Sequence, residues 1–60
     1  MTPRYLNLPA AAEYMGLTTS ALRSKVARRD IPFIKDGRAV RFDVRDLDAW
    51  MHARKVPAAS

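Results

Sequence analysis

Leu17-Thr18-Thr19-Ser20-Ala21-Leu22-Arg23-Ser24-Lys25-Val26-Ala27-Arg28-Arg29 is the stretch on which the fold turns. Thr18 is a good helix N-cap, because its hydroxyl can accept a backbone N–H that the first helical turn leaves unpaired. Leu22 and Val26 lie one turn apart and are expected to face inward. At about 100° per residue, Thr19, Ser20, Arg23, Ser24 and Ala27 come near the opposite side. These side chains are small or polar with one long cation among them, so the face can approach another surface closely. A groove of DNA and plain solvent both suit it, and this helix alone does not choose between them.

Upstream, Asn7 is placed to cap a preceding helix, and Pro9 is tolerated in its opening turn, where a missing N–H costs nothing. Leu8, Ala11, Ala12 and Met15 follow the spacing of a buried stripe. Gly16 suits the left-handed position that ends a helix, and Leu17 drops an apolar anchor into the corner. Two helices joined by such a turn form a helix-turn-helix, a corner that also occurs in proteins that never touch nucleic acid.

Downstream, Asp30-Ile31-Pro32 breaks the helix, since proline disfavours helical geometry before it and has no N–H to donate. Phe33-Ile34-Lys35 and Ala39-Val40-Arg41-Phe42 are rich in β-formers and flank Asp36-Gly37, a strong hairpin signal. The expected product is a two-stranded wing with Asp36, Gly37 and Arg38 at its tip. A two-residue loop pairs Lys35 with Arg38 and sets Phe33 beside Val40, whereas a three-residue loop sets Ile34 beside Val40. The second is favoured, with Ile34, Val40 and Phe42 facing the core. Asp43 then caps a third helix, helped by Asp46 near the positive end of the helix dipole. Val44, Leu47, Trp50 and Met51 form its apolar stripe, with Trp50 as a core anchor. His52 has neither a second ligand nor a nucleophile beside it and reads as a solvated side chain.

Sixty residues make one small domain, which buries only about 60% of the surface its unfolded chain exposes. A buried catalytic cleft is not expected. With no cysteine there is neither a disulfide framework nor a thiolate metal site. The longest apolar runs are far too short to span a bilayer. Arg4 is followed by a mixed segment and not by the apolar core of a secretory signal, which makes the cytoplasm the default location. Glu13, Asp30, Asp36, Asp43, Asp46 and Asp48 are accounted for as helix ends, turns and solvated faces, so neither an enzyme nor a bound cofactor is expected.

The formal charge of +5 is not spread evenly. Between Arg23 and Arg41, seven basic residues (Arg23, Lys25, Arg28, Arg29, Lys35, Arg38 and Arg41) stand against Asp30 and Asp36, a balance of +5. Elsewhere Arg4, Arg45, Arg54 and Lys55 cancel Glu13, Asp43, Asp46 and Asp48. The whole excess lies in one contiguous third of the chain. Segregated charge of this kind gives a one-sided field that attracts phosphates, although a charged face kept for solubility has the same composition.

The order helix, turn, helix, hairpin, helix, together with particular residues, resembles the excisionase-like group of MerR-type winged helix-turn-helix DNA-binding domains. The resemblance runs from Leu6 to Met51. It rests on Leu6-Asn7-Leu8, Ala11-Ala12-Glu13-Tyr14-Met15-Gly16-Leu17, Thr18 to Val26, Ile31-Pro32, Gly37-Arg38, Arg41-Phe42 and Leu47-Asp48-Ala49-Trp50-Met51. Lys25 departs from the family pattern by standing where an apolar residue is common, Arg29 by replacing a frequent glycine, and Arg23 by replacing a frequent aromatic.

The resemblance implies that the second helix enters the major groove while the wing contacts flanking backbone or minor groove. Thr19, Ser20, Arg23 and Ser24 match the groove-contacting positions, and Arg38 and Arg41 match the wing contacts. Arginine can bridge two acceptors on a guanine edge or clamp a phosphate, while Thr and Ser bond bases or phosphates alike. With the helix N-terminus at Thr18 and the cations Lys25, Arg28 and Lys35, these make up the candidate DNA-contacting set. The expected domain spans residues 6–54 between flexible ends at 1–5 and 55–60. Its expected role is that of a small accessory which binds and bends double-stranded DNA beside an integrase, with copies of itself side by side on the DNA. A minimal MerR-like transcriptional regulator is the alternative, and a protein-docking helix-turn-helix is a third reading. No membrane and no small-molecule ligand are expected as partners.

Overall fold

The computed structural model describes residues 3–56 and contains, in chain order, β1 (Tyr5–Asn7), α1 (Leu8–Met15), α2 (Thr19–Ala27), β2 (Ile34–Asp36), β3 (Ala39–Asp43) and α3 (Val44–Ala53). Three helices pack with a small antiparallel sheet in the order β1-β3-β2, which is a winged helix-turn-helix. Met1, Thr2 and residues 57–60, which make up most of the expected terminal extensions, lie outside the described residues.

Local signals fix the helix-turn-helix. The Asn7 side chain accepts the Ala10 N–H at 2.9 Å and opens α1. At the other end Gly16 takes a left-handed φ of 73°. Its N–H donates to Glu13 O at 3.1 Å, and the Leu17 N–H reaches back to Ala12 O at 2.8 Å. These two bonds are the Schellman pattern, which satisfies carbonyls that a helix end would otherwise leave unpaired. Only two residues on, Thr18 Oγ1 accepts the Ala21 N–H at 3.0 Å and starts α2. The corner is therefore closed at both ends by hydrogen bonds that the sequence announces.

The exit from α2 repeats the device without a glycine. Arg29 N–H donates to Val26 O at 3.0 Å and Asp30 N–H to Lys25 O at 2.9 Å. The pattern needs a left-handed residue at Arg29, whose φ is 58°. An L side chain in that conformation costs roughly 1–2 kcal/mol, so the packing of Ile31 just beyond must hold the turn. Ile31 is buried in the core.

The core takes one or two side chains from nearly every part of the chain: Leu6 from β1, Ala11 and Ala12 from α1, Leu22 from α2, Ile31 from the loop, Phe42 from β3 and Leu47 from α3. Strand β2 contributes none, because the hairpin projects beyond the core. Phe42, Leu22 and Leu47 are the largest side chains fully enclosed. The alanines of α1 let α2 and the sheet pack closely against it.

Four sequence-based expectations need correction. The wing loop has two residues, Gly37 and Arg38, so Asp36 pairs with Ala39, Lys35 with Val40 and Ile34 with Arg41. This differs from both registers considered. Gly37, at a φ of 60°, occupies the first loop position, the place where a type II′ hairpin turn favours glycine. In this register Ile34 shares a face with Arg41 and is 40% exposed, rather than facing the core with Val40 and Phe42. Met51 is also turned outward, 47% exposed, because α3 has run past the sheet by its last turn. Trp50 is half-buried and packs on the edge of the core, whose centre is Phe42.

The first strand carries no sequence signal, being only three residues long. Leu6 pairs with Phe42 and Tyr5 with Asp43, so β1 flanks the wing's returning strand on its other side. The Val44 N–H donates to Arg4 O at 2.8 Å. Asp43 is the one buried charged residue among those described. It is fully engaged: Oδ1 accepts the Arg45 N–H at 2.9 Å as the α3 cap, and Oδ2 meets Arg4 Nε at 3.3 Å and an Arg45 guanidinium nitrogen at 3.5 Å.

Candidate nucleic-acid interface

The face of α2 expected to be free is free. Thr18, Thr19, Ser20, Arg23, Ser24, Ala27 and Arg28 are all exposed, while Leu22 on the opposite side is fully buried and Val26 is half-buried. Threonine, serine and alanine stand no more than a few ångströms above the helix backbone, so Arg23 is the long side chain on a low platform. Such a face can enter a groove until its backbone nears the base edges. At its N-terminal end Thr18 Oγ1 takes the Ala21 N–H at 3.0 Å, and the N-terminus of a helix is an end that favours an anion.

The wing presents its cations on different sides. Arg38 is exposed at the loop. Side chains alternate along a strand and cross-strand partners share a face, so Arg41 stands between Asn7 and Ile34 on the outer face of the sheet. Lys35 opposes Val40 on the other face, yet is itself exposed because the ribbon has left the core. Together these groups reach around the ribbon and do not form one flat patch.

Lys25 stands apart from the exposed α2 face. It is half-buried, with its ammonium 5.6 Å from the centre of the Trp50 ring. The Trp50 indole donates to the Asp30 carbonyl oxygen at 2.7 Å, tying α3 to the turn that ends α2. Arg54 lies over the same ring, its guanidinium carbon 3.8 Å from the centroid, and donates to Trp50 O at 3.3 Å. Arg54 belongs to none of the motifs in the sequence. The signal that could have found it is the spacing of Trp50 and Arg54, four apart on one helix face.

No cluster of three or more possible metal ligands occurs among the described residues, and none of their helices is long and apolar enough to cross a membrane. The Tyr14 hydroxyl donates to Asp48 Oδ1 at 2.6 Å, bridging α1 and α3.

The model of a helix-turn-helix domain family matches residues 5–55. The chain belongs to that family. It is a DNA-binding family that includes excisionase-like proteins, and its members are typically not enzymes. No curated protein matches the chain. In this helix-turn-helix domain the match takes in β1, both helices of the corner, the wing and α3, so all the elements that carry candidate contacts fall inside it. Membership of this family suggests DNA as the partner.

Proposed function

We propose that the domain binds DNA sequence-specifically as an excisionase-type accessory, a recombination directionality factor that bends its site to assist an integrase. The observation that carries the DNA contacts is the exposed, low-profile face of α2 with Arg23 rising from it. Thr19, Ser20, Arg23 and Ser24 read base edges in the major groove, while Arg28, Lys35, Arg38 and Arg41 hold flanking phosphates. The accessory role is supported by the resemblance of Ala11-Ala12-Glu13-Tyr14 and Leu47-Asp48-Ala49-Trp50 to excisionase-like domains. A protein of this kind has no reaction of its own to perform. It works by setting the path of the duplex for another enzyme, with copies assembling side by side where neighbouring sites raise their effective concentration.

A titration of labelled duplex at several salt concentrations tests the binding. Four to six neutralised phosphates give a slope of log affinity against log salt of about −4 to −5, and a flat response removes the nucleic-acid reading. An excision assay with the cognate integrase tests the role: stimulation on addition of the protein supports an accessory. Site occupancy without stimulation, accompanied by altered transcription from a nearby promoter, replaces it with a minimal regulator.

A further inference from the structure

Two cations from different helices meet on one indole. Lys25 of α2 comes within 5.6 Å of the Trp50 ring centre, and Arg54, just past the end of α3, stacks on the same ring at 3.8 Å. The ring is oriented by its Nε1–H, which donates to Asp30 O at 2.7 Å. Among the described residues the ion pairs are those of Asp43 with Arg4 and Arg45, so neither cation has an acidic partner. Both positive charges are therefore held at one aromatic without a counter-charge, and an anion at the rim of the ring would offset them. Stacking also leaves the in-plane N–H edge of a guanidinium available to an oxyanion.

The cluster continues the α2 surface. At about 100° per residue, Arg28 lies about 40° round from Ser24 and Lys25 a further 60°, so a basic strip leads from the exposed face across the α2–α3 seam to Arg54. Arg23 lies on the opposite flank.

We propose that Lys25, Trp50 and Arg54 form a seat for one backbone phosphate of the bound duplex, on the side of the groove away from Arg23. This rests on the DNA-binding reading above. The indole serves as a holder: it fixes the spacing of the two cations and keeps them out of competing ion pairs. The contact is blind to sequence and fixes how far α2 rolls in the groove.

The test compares the full chain with the double variant Lys25→Gln/Arg54→Gln, with Arg54→Lys and with Arg38→Gln, on a preferred and a random duplex over a range of salt. The double variant is expected to weaken both duplexes by the same factor and to make the salt slope shallower by about one unit, while Arg54→Lys keeps the wild-type slope. An unchanged slope in the double variant, with a shallower one in Arg38→Gln, overturns the phosphate seat and leaves the DNA-binding reading in place. A wild-type protein indifferent to salt overturns both. Trp50 is the sole tryptophan, so its emission is a second readout that needs no variant: a change on saturation with duplex is expected, and an unchanged spectrum overturns the seat.

Discussion

Trp50 and Asp30, twenty residues apart, are joined by a hydrogen bond of 2.7 Å from the indole Nε1–H to the main-chain carbonyl oxygen. It fastens the last turn of α3 to the turn that ends α2, so the C-terminal helix braces the helix expected to enter the groove. Trp50→Phe keeps most of the apolar contact and loses the donor. The expected cost is about 1–2 kcal/mol, seen as a fall in melting temperature of about 4–8 °C for each kcal/mol in a domain of this size. Unchanged melting would mean that the brace carries no stability.

Arg29 sits at a φ of 58° inside a Schellman turn. Glycine adopts this conformation without steric cost. Arg29→Gly is therefore expected to raise stability by about 1 kcal/mol in a urea titration, whereas Arg29→Ala, which keeps the Cβ, gains nothing comparable.

The wing register separates two apolar side chains that the sequence alone grouped together. Ile34 lies on the outer face beside Arg41, while Phe42 is fully buried opposite Leu6. Ile34→Thr is expected to change stability by no more than about 0.5 kcal/mol. Phe42→Ala, which empties the centre of a small core, is expected to cost about 3–5 kcal/mol and to leave little folded protein by circular dichroism at 37 °C. Equal losses in the two variants would restore the register in which both face inward.

Most of this fold is legible in the sequence, because its signals are local. Asn7, Thr18 and Asp43 are caps whose side chains bond within three residues, and Gly16 ends α1 by its own conformational freedom. The exposed set on α2 follows from helical periodicity alone. What local reading misses is decided by partners distant in sequence. Residues 5–7 become a strand only because β3 lies beside them. Met51 is exposed because of where the sheet ends. The wing register turns on whether Gly37 takes the first loop position or a later one, and Asp36-Gly37 is compatible with both. Lys25 stands where the resembled family commonly has an apolar residue, but its contact with Trp50 depends on how α3 crosses α2.

Tyr14 and Asp48 supply a pH-dependent link between α1 and α3. The hydrogen bond to Asp48, with smaller contributions from burial and from the carboxylate's charge, holds the Tyr14 phenol above its usual value of 10.0. Because the folded-state value is raised, the stability this bond contributes is fully present below about pH 10 and is lost as pH climbs through the folded value. Phenolate absorbance should show Tyr14 ionising later in the folded chain than in the unfolded one, and Asp48→Ala should remove the delay. A titration that is the same in both proteins would leave Asp48 without influence on the phenol.

Arg23 and Arg38 occupy contrasting places, one on the α2 platform and one at the wing loop. Arg23→Ala is expected to weaken a preferred site more than random DNA, by about 1–3 kcal/mol of discrimination. Arg38→Ala is expected to weaken both about equally. Competition titrations against random duplex separate the two, and identical losses across sequences would erase the distinction between reading and holding.

Because β3 is paired on both sides, the wing is a splinted ribbon with the beginning of the chain as its splint. A bare hairpin of this length would wag, and its pitch relative to α2 would be settled only on contact with a duplex. Here Tyr5, Leu6 and Asn7 set that pitch in advance. Trimming the chain to residue 8 should therefore blunt the choice among DNA sites before it abolishes attachment to any of them.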